Sequence, residues 1–375
     1  MWDICPAYLY ILKEEMTMNN MIICLGGCGS NIAKMIITSD KLKDVTLYSI
    51  DSQSSNVDIN SINSINFISI LSDEKAGSGR NRSRAQAMYE YHAEQGAFDK
   101  MYNDAVESKA PVLVVTSAAG GTGSGSTVPL CKALIERNVQ VIPIVIFPNK
   151  NDPDAFHLNA NDLLMELDEV GIETYSIFEN RKGDANYDPI NQEVVNLIEI
   201  IFGKKYGKTE LDSIDDADLD VILSTPGRFI ATSADASSTT VLGKEITRKV
   251  FSGFQPAWTP EQAANHTIIT AFGLTSMFAN TEFKNVFAEI NSRLDNVYDE
   301  YRNIVNDDND GMSSASVIIA GLPRPEIKEI DNDYKEASSI SEGMKKSRRP
   351  NFMNRKKATI VNDDKNNNIS KFKWN

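Results

Sequence analysis

The sequence predicts an α/β protein with a mostly parallel, doubly wound sheet, a long central helix and a smaller α+β second domain. Two observations lead to this prediction. Up to about residue 202, short apolar runs typical of buried strands alternate with runs of helical periodicity. Three of the turns between them are rich in glycine, and each opens a helix. Alternation of this kind is typical of parallel strands joined by crossover helices.

The first glycine turn follows a predicted strand at Met21–Leu25. Residues 26–31 (GGCGSN) form the turn, and a predicted helix starts at Ile32. The next strand, Val45–Ile50, leads to Asp51. Strand, glycine turn, helix, strand and acid are also the pattern of dinucleotide-binding folds, although Ile32 stands where that fingerprint has its third glycine. An NAD-dependent enzyme is therefore the alternative from a different functional class.

Two more glycine turns complete the pattern. Residues 77–81 (GSGRN) precede a helix predicted from about residue 83 to 95, and residues 118–127 (AAGGTGSGST) follow a strand at Pro111–Ser117 and precede a helix at Val128–Arg137. Glycine lets backbone N–H groups converge on an anion, and a helix N-terminus adds positive partial charge. The turns predict a phosphate cradle, with a purely conformational role as the alternative. No GxxxxGK[ST] motif occurs, which excludes a Walker-type site.

The remaining elements are predicted from periodicity and turn residues. In the first part they are a strand at Val139–Phe147, a helix from Asp154 to about Val170, a strand at Glu173–Phe178, and a long helix capped by Asp188 and Pro189 that ends near Phe202. In the second part they are strands at Phe229–Ala231, Thr267–Leu274 and Ser316–Gly321, helices at Val241–Phe251 and Thr281–Tyr301, and a hairpin or loop tip at Asn306–Asp310.

Composition narrows the functional classes. No apolar run is long enough to span a bilayer, and the four cysteines of this 375-residue chain do not form a disulfide framework. Its three scattered histidines show no metal-ligand spacing. These features predict a cytoplasmic protein with no membrane partner.

The sequence GGTGSG at residues 120–125 resembles the signature loop of the tubulin and FtsZ superfamily, whose usual form is GGGTGSG. Ala119 replaces the first glycine, a change that matters only if that position requires positive φ. The resemblance covers about residues 20–325. It implies binding of GTP or GDP, with Mg²⁺ held through the phosphates and water instead of direct protein ligands. It also implies GTP hydrolysis that is activated when the protein polymerises head to tail into filaments.

The resemblance divides the chain into five parts: an N-terminal extension (1–20), a GTP-binding domain (21–186), the central helix (187–205), a second or activation domain (206–328) and a disordered basic tail (329–375). The implied GTP-binding residues are Gly26, Gly27, Cys28, Gly29, Asn31, Asp51, Gln53, Gly77, Ser78, Gly79, Arg80, Asn81, Gly120, Gly121, Thr122, Gly123, Ser124, Gly125, Asn159, Asn180, Tyr187 and Asn191.

Two of these residues suggest how the base is recognised. Tyr187 and Asn191 lie four positions apart at the start of the central helix and so share one face. The ring can stack on a purine, and the amide can read the guanine edge. The residue that contacts the ribose stays open between Asp152, Asp154 and Asn159. Considered singly, residues of these types more often serve as turn or cap residues.

Residues 213–227 (SIDDADLDVILSTPG) resemble the catalytic loop and following helix of FtsZ, with Asp215 and Asp218 at its two acidic positions. The resemblance implies that this loop reaches the nucleotide of the next subunit in a filament. Because acidic residues also stabilise a helix N-terminus, ordinary helix capping is the alternative for both residues.

Other strings resemble TubZ, a branch of the superfamily encoded by plasmids and phages of Gram-positive bacteria. They are TPG at residues 225–227 and AGLPRP at residues 320–325. Residues 344–375 contain ten Lys/Arg and two Asp, a net charge of +8, whereas the rest of the chain carries −22. The resemblance implies segregation of plasmid or phage DNA through a DNA-bound adaptor on the basic tail. The alternatives for the function are a phage spindle-type tubulin and FtsZ-type cell division. The alternative for the basic tail is a solvated segment that only keeps the protein soluble.

Overall fold

The computed structural model describes residues 20–52, 64–71, 77–108, 110–180, 186–203, 213–294, 296–307 and 311–325. Gln53, the N-terminal extension apart from Asn20, and the basic tail lie outside these residues. The described strands are β1 (Met21–Leu25), β2 (Thr46–Asp51), β3 (Asn66–Ser69), β4 (Val112–Ser117), β5 (Val141–Phe147), β6 (Thr174–Glu179), β7 (Gly227–Ala236), β8 (Ile268–Ser276), β9 (Val297–Asn306) and β10 (Ser313–Leu322).

The described α-helices are α1 (Gly26–Ile36), α2 (Arg82–Glu94), α3 (Asp99–Glu107), α4 (Thr122–Ile135), α5 (Asp154–Glu169), α6 (Asp188–Phe202), α7 (Asp216–Ser224), α8 (Thr239–Ser252), α9 (Pro260–Ala263) and α10 (Ala279–Asn291). The described strands form one sheet in the order β3-β2-β1-β4-β5-β6-β7-β10-β8-β9. All neighbours are parallel except β10, which runs antiparallel to β7 and β8. The predicted α/β class with a mostly parallel sheet is confirmed.

Side chains alternate across the sheet and create cores on both faces. In β1, Ile22 and Cys24 join the core under α1, α6 and α7, whereas Met21, Ile23 and Leu25 join the core under α2 to α5. A third core lies under α8 and α10 in the second half of the chain. Strands buried on both faces explain the nearly continuous apolar runs of the sequence.

The central helix α6 crosses the molecule inside the first of these cores. Its apolar residues from Ile190 to Phe202 are buried against α1 and β7. Tyr187 is the N-cap residue, so Asp188 occupies the first helical position and the predicted cap at Asp188 is wrong by one residue. Fifteen residues at 1.5 Å each give α6 a length of about 22 Å. In its last turn Glu199 accepts from Ser39 Oγ (2.6 Å), which precedes β2, whereas the helix starts after the end of β6, so the two ends of α6 lie at opposite ends of the strands.

The helix predicted at Thr281–Tyr301 is wrong in its second half. The helix α10 ends at Asn291, Asn296 adopts a left-handed φ of 62°, and β9 then pairs in parallel with β8. A left-handed residue cannot continue a helix. Pairing with a buried strand outweighs the local helical periodicity in this segment.

The loop tip predicted at Asn306–Asp310 falls between β9 and β10, but no hairpin forms there. The two strands are not neighbours, because β8 separates them in the sheet. Residues 308–310 lie outside the described part of the chain. Three of the labelled elements were not predicted at all: the short strand β3 and the helices α3 and α9.

A narrow seam joins the two halves of the sheet. Within the described residues, β6 and β7 pair at two positions only. Beyond them Gln255 bridges the strands, since its Nε2 donates to Ser176 Oγ (2.9 Å) and its Oε1 accepts from the Ala231 N–H (3.2 Å). The buried guanidinium of Arg228 donates to the Pro256 carbonyl (2.6 Å), and burial lowers the pKa of Arg228 to about 10. The seam is thus held largely by side chains.

Within the described ranges, none of the helices has both the length and the apolar character needed to cross a membrane.

Candidate nucleotide-binding site

Three glycine-containing turns lie at the carboxyl edge of the parallel strands. We name them the phosphate loops: residues 26–31 after β1, residues 77–81 before α2, and residues 118–125 after β4. Their backbones approach one another too closely for ordinary side chains. A Cβ atom added to Gly26 would lie 2.8 Å from the Gly123 nitrogen, and one added to Gly121 would lie 2.6 Å from the Asn81 nitrogen.

The first phosphate loop is helical. The helix α1 starts at Gly26, six residues earlier than predicted, so Gly27, Cys28, Gly29 and Asn31 lie in its first two turns. Gly26 has φ 70°, which glycine adopts without strain. A Cβ on Gly29 would lie 2.8 Å from the Cys24 carbonyl carbon. Gly29 therefore allows α1 to pack on β1, and the N-terminal N–H groups of α1 point out of the carboxyl edge.

The last phosphate loop also becomes helical earlier than predicted, because α4 starts at Thr122. Gly120, Gly121, Gly123 and Gly125 do not adopt positive φ, and neither does Ala119. The glycines instead provide space, since a Cβ on Gly123 would lie 2.7 Å from Thr116 Oγ1 and 3.0 Å from the Leu25 carbonyl oxygen. The absence of positive φ explains why alanine is tolerated at position 119.

The middle phosphate loop is the one that uses left-handed backbone. Gly77, Gly79 and Arg80 have φ values of 85°, 64° and 61°. Nothing lies within 4 Å of a Cβ added to Gly79, so conformation and not space requires glycine there. Turns with left-handed residues of this kind form concave sets of N–H groups that bind anions. Asn81 ends the loop as the N-cap of α2, where its Oδ1 accepts from the Arg84 N–H (2.8 Å).

Hydroxyl groups connect the loops. Ser52 Oγ lies 2.7 Å from Thr122 Oγ1, which lies 3.2 Å from Ser78 Oγ. The Gly77 N–H donates to the Ser52 carbonyl (3.1 Å). Asp51 is buried at the end of β2 and accepts from the Ser52 N–H (2.7 Å). Ser52 was not among the predicted site residues, although its position directly after a strand and an acid could have indicated it.

Ser124 and Cys28 have local roles. Ser124 Oγ donates to the Gly120 carbonyl and so stabilises the last phosphate loop. Cys28 is half-buried against the core below α1. Burial raises the pKa of the Cys28 thiol to about 12. Cys28 is thus a neutral thiol at physiological pH, suited to contact and not to nucleophilic chemistry.

The residues predicted to contact the base lie beside the carboxyl ends of β5 and β6. Tyr187 is 57% exposed, whereas Asn191 is buried one turn later and donates its N–H to the Tyr187 carbonyl (3.0 Å). The Asn180 carbonyl accepts from Asn149 Nδ2 (2.8 Å), a residue that the sequence did not indicate. The exposed ring of Tyr187 can therefore stack on a planar ligand at this edge of the sheet.

Asn159 and Asp152, both considered for ribose contact, form hydrogen bonds with the protein itself. Asn159 Nδ2 donates to the carbonyls of Ala119 (3.1 Å) and Arg80 (3.4 Å). Asp152 Oδ2 accepts from the Asn149 N–H (2.8 Å). These contacts hold loops in place, and ribose contact by Asp152, Asp154 or Asn159 stays a prediction.

The two acidic residues of the predicted catalytic loop form a capping box at the start of α7. Asp215 Oδ1 accepts from the Asp218 N–H (2.9 Å), and Asp218 Oδ2 accepts from the Asp215 N–H (3.1 Å). Partial burial and the neighbouring Asp299 raise the pKa of Tyr301, with smaller contributions from Asp218 and Asp215. We name residues 215–218 the acidic helix start. Asp215 and Asp218 thus cap α7 within a single chain.

The acidic helix start lies far from the phosphate loops. The end of α7 contacts the amino ends of β5 and β6, where Gln140 Nε2 donates to Ser224 Oγ (3.2 Å) and Thr174 Oγ1 donates to the Thr225 carbonyl (2.9 Å). The phosphate loops are at the carboxyl ends of the same strands. The acidic helix start itself interacts electrostatically with Tyr301 of β9, whereas the phosphate loops follow β1 and β4, several strands away, so one chain carries the two parts of the predicted site far apart.

No group of three or more His, Cys, Asp or Glu side chains in the described part of the chain is arranged to hold a metal ion. The prediction that Mg²⁺ is held through phosphates and water is not tested by this observation.

Comparison with known proteins agrees with this architecture. Residues 19–183 match the model of the Tubulin/FtsZ family, GTPase domain. This segment is thus similar to the GTPase domain of the Tubulin/FtsZ family. The sequence is 23% identical over 326 residues to the cell division protein FtsZ of Haloferax mediterranei, covering 84% of this chain and 83% of that protein.

Solved structures show that the Tubulin/FtsZ fold extends over most of the chain. A GTPγS-form protofilament of TubZ from Bacillus thuringiensis serovar israelensis superposes with a TM-score of 0.63 at 18% identity, covering 92% of this chain and 97% of that one. CetZ from Methanosaeta thermophila superposes with a TM-score of 0.63 at 17% identity, covering 89% and 94%. An FtsZ dimer of M. jannaschii has a TM-score of 0.63 at 14% identity, covering 88% and 100%.

Proposed function

We propose that the protein binds GTP in the phosphate loops and hydrolyses it when chains assemble head to tail. The observation that carries this proposal is the separation of the phosphate loops from the acidic helix start within one chain. A nucleotide in the loops of one chain is out of reach of Asp215 and Asp218 of that chain. The acidic helix start can act only on the nucleotide of a neighbouring chain.

The phosphate loops fit a nucleoside triphosphate with its Mg²⁺. Glycines without side chains, left-handed turns and the starts of α1 and α4 present N–H groups at one edge. The hydroxyls of Ser52, Ser78 and Thr122 lie among them. Mg²⁺ held by the phosphates would supply charge neutralisation for phosphoryl transfer. Tyr187 and Asn191 would contact the guanine.

Hydrolysis requires a positioned water molecule and little covalent chemistry from the protein. We assign Asp215 and Asp218 to that positioning, in trans. Structural relatives support assembly: the TubZ structure is a GTPγS-form protofilament, and CetZ2 from Haloferax volcanii forms a GTPγS-bound protofilament. In the proposed division of the chain, residues 21–186 bind GTP, 187–205 link the domains and 206–328 activate hydrolysis.

We further propose that the filaments segregate or position plasmid or phage DNA in the bacterial cytoplasm, in the manner of TubZ. Residues 225–227 and 320–325 and the basic tail support this role by their resemblance. A phage spindle-type tubulin and FtsZ-type division are the alternatives within the superfamily.

Assembly and hydrolysis are tested together. GTP should cause the protein to sediment as filaments, whereas GDP and NAD should not, and phosphate release per molecule should rise with protein concentration. A concentration-independent rate would show that the site is complete in one chain. Bound NAD without sedimentation would support the dehydrogenase alternative.

The DNA role is tested by deleting residues 344–375. The shortened protein should retain GTP hydrolysis and sedimentation but lose binding to the adaptor–DNA complex. Binding of the full chain should weaken steeply with salt, because screening and counterion release dominate such contacts. A shortened protein that still segregates DNA, or that no longer assembles, would contradict this role.

A further inference from the structure

The helix α5 lies behind two of the phosphate loops. It packs beside α4, and two of its polar residues, Asn159 and Glu166, are directed at the loops or at the helices that follow them. They are seven residues apart, so they share one face of the helix. Glu166 has no place in the nucleotide site proposed above.

Glu166 forms an ion pair with Arg82, the first residue of α2. Arg82 Nη1 donates to Glu166 Oε1 (3.0 Å) and Nη2 donates to Oε2 (2.8 Å), and the Asp162 carboxylate lies 3.8 Å from Nη1. Arg82 is 8% exposed. A bidentate pair between a buried guanidinium and a carboxylate fixes both distance and angle.

The same guanidinium reaches the last phosphate loop. Arg82 Nη2 lies 3.5 Å from the Ser124 carbonyl, and a Cβ on Gly125 would lie 2.8 Å from Ala85 Cβ of α2. One side chain thus connects the start of α2, the start of α4 and the body of α5.

Asn159 makes the equivalent connection one turn beyond the start of α5. Its Nδ2 donates to the Ala119 carbonyl (3.1 Å) in the last phosphate loop and to the Arg80 carbonyl (3.4 Å) in the middle one. Both acceptors are backbone groups of the loops themselves. Their spacing therefore depends on the position of α5.

We propose that α5 sets the spacing of the middle and last phosphate loops, with Arg82, Glu166 and Asn159 as positioning residues for the nucleotide phosphates. This inference rests on the proposed binding of GTP. An anion held by converging N–H groups loses hydrogen bonds as soon as the groups move apart, because hydrogen bonds weaken steeply with distance and angle. The base, held at β5, β6 and α6, does not depend on this spacing.

A purely electrostatic role and a positioning role of Glu166 predict opposite changes in phosphate affinity for Glu166→Gln. Removing a carboxylate near an anion site should strengthen phosphate binding if electrostatic attraction were the only effect. If Glu166 positions the loops, the same change should weaken it, since a neutral amide holds Arg82 less firmly.

The experiment measures the affinity of wild type, Glu166→Gln and Arg82→Lys for GTPγS, GDP and guanosine by competition. We expect about a tenfold loss for GTPγS and GDP, or roughly 1.4 kcal/mol, with guanosine unchanged. Glu289→Gln serves as the matched control, because it removes the exposed ion pair between Glu289 of α10 and Arg293, which follows that helix. The melting temperature without nucleotide reports folding. Arg82→Lys keeps the positive charge but not the bidentate geometry, so it keeps the test valid if Glu166→Gln does not fold.

Equal or tighter GDP binding by a folded variant would overturn the inference, and so would an equal loss for guanosine. A wild-type protein that binds no GTP would instead overturn the proposed function.

Discussion

The phosphate loops and the acidic helix start are built in contrasting ways. In the loops, backbone atoms of distant segments approach so closely that glycine is required on steric grounds at Gly26, Gly121 and Gly123. At the acidic helix start, Asp215 is exposed and contacts its own helix. Folding brings distant segments together in the first region, whereas the hydrogen bonds between Asp215 and Asp218 in the second region join neighbouring residues of one helix start.

The two regions differ in how far a local sequence motif accounts for their residues. A capping box contributes about 1 kcal/mol, which is enough to account for both aspartates without any catalytic role. No comparable local effect accounts for glycines whose neighbours come from segments about 100 residues apart. The fold therefore supports the assignment of the phosphate loops to anion binding, whereas the catalytic assignment of Asp215 and Asp218 requires a test by mutation.

The largest effect is expected from Gly123→Val in the phosphate loops. The new side chain would collide with Thr116 Oγ1 and the Leu25 carbonyl, so the loops must separate and nucleotide binding should be lost. Overpacking should also lower the free energy of unfolding by about 1–3 kcal/mol. Calorimetric titration with GTP and thermal unfolding measure the two effects.

Gly120→Ala is the control, because the nearest protein atom to its Cβ would be the Ser117 carbonyl oxygen at 4.0 Å. Its thermal stability should match that of wild type. Normal GTP affinity in a folded Gly123→Val variant would show that the phosphate loops do not bind phosphate.

The second-largest effect is expected from Asp218→Asn at the acidic helix start. Asp218→Asn keeps an oxygen that can accept the Asp215 N–H but removes the charge, so the cap and the melting temperature should be preserved. GTP hydrolysis should fall about 100-fold or more, the scale of a lost water-activating group. GTP affinity should change by less than about threefold, or under ~1 kcal/mol. Filaments should then persist, as seen by electron microscopy.

The exposed neighbour Asp216, changed to Asn, is the control for Asp218→Asn and should hydrolyse GTP normally. If Asp218→Asn releases phosphate at the wild-type rate, the capping box is the whole function of this aspartate.

A smaller effect is expected from Tyr187→Ala at the base side of the loops. Stacking of one base on an aromatic ring contributes about 1–3 kcal/mol, so GTP affinity should fall by roughly fivefold to 150-fold. Tyr187→Phe should bind as tightly as wild type, because it keeps the ring. Equal loss in both variants would mean that the hydroxyl, and not stacking, holds the ligand.

The smallest effect is a difference in thiol reactivity between the two regions. Because burial raises the pKa of Cys28 to about 12, its thiol stays protonated through pH 7–9 and should react slowly with iodoacetamide. A cysteine introduced by Asp216→Cys is exposed, with an ordinary pKa of about 8.5, and should react faster as the pH rises. Peptide mass spectrometry separates the two sites, and rapid labelling of Cys28 would refute the packing of α1 described here.

The sequence indicates the order of strands, glycine turns and helices because each depends on local chemistry. It does not show that α1 starts at Gly26, since glycines look like a loop until their packing on β1 is known. It predicts a helix over Val297–Tyr301 because the pairing partner β8 is distant in sequence. Likewise, the role of Asn159 depends on carbonyl groups of Ala119 and Arg80, which no pattern around Asn159 specifies.

The narrow seam between β6 and β7 has a mechanical consequence. Elsewhere in the described sheet four or more paired positions join each strand to its neighbour, but here two do. A bending load applied across the sheet meets the least stiffness at this line, where the side chain of Gln255 joins β6 to β7 in place of ladder hydrogen bonds. The half of the sheet that carries the phosphate loops and the half formed by β7 to β10 are thus each stiffer than the seam between them.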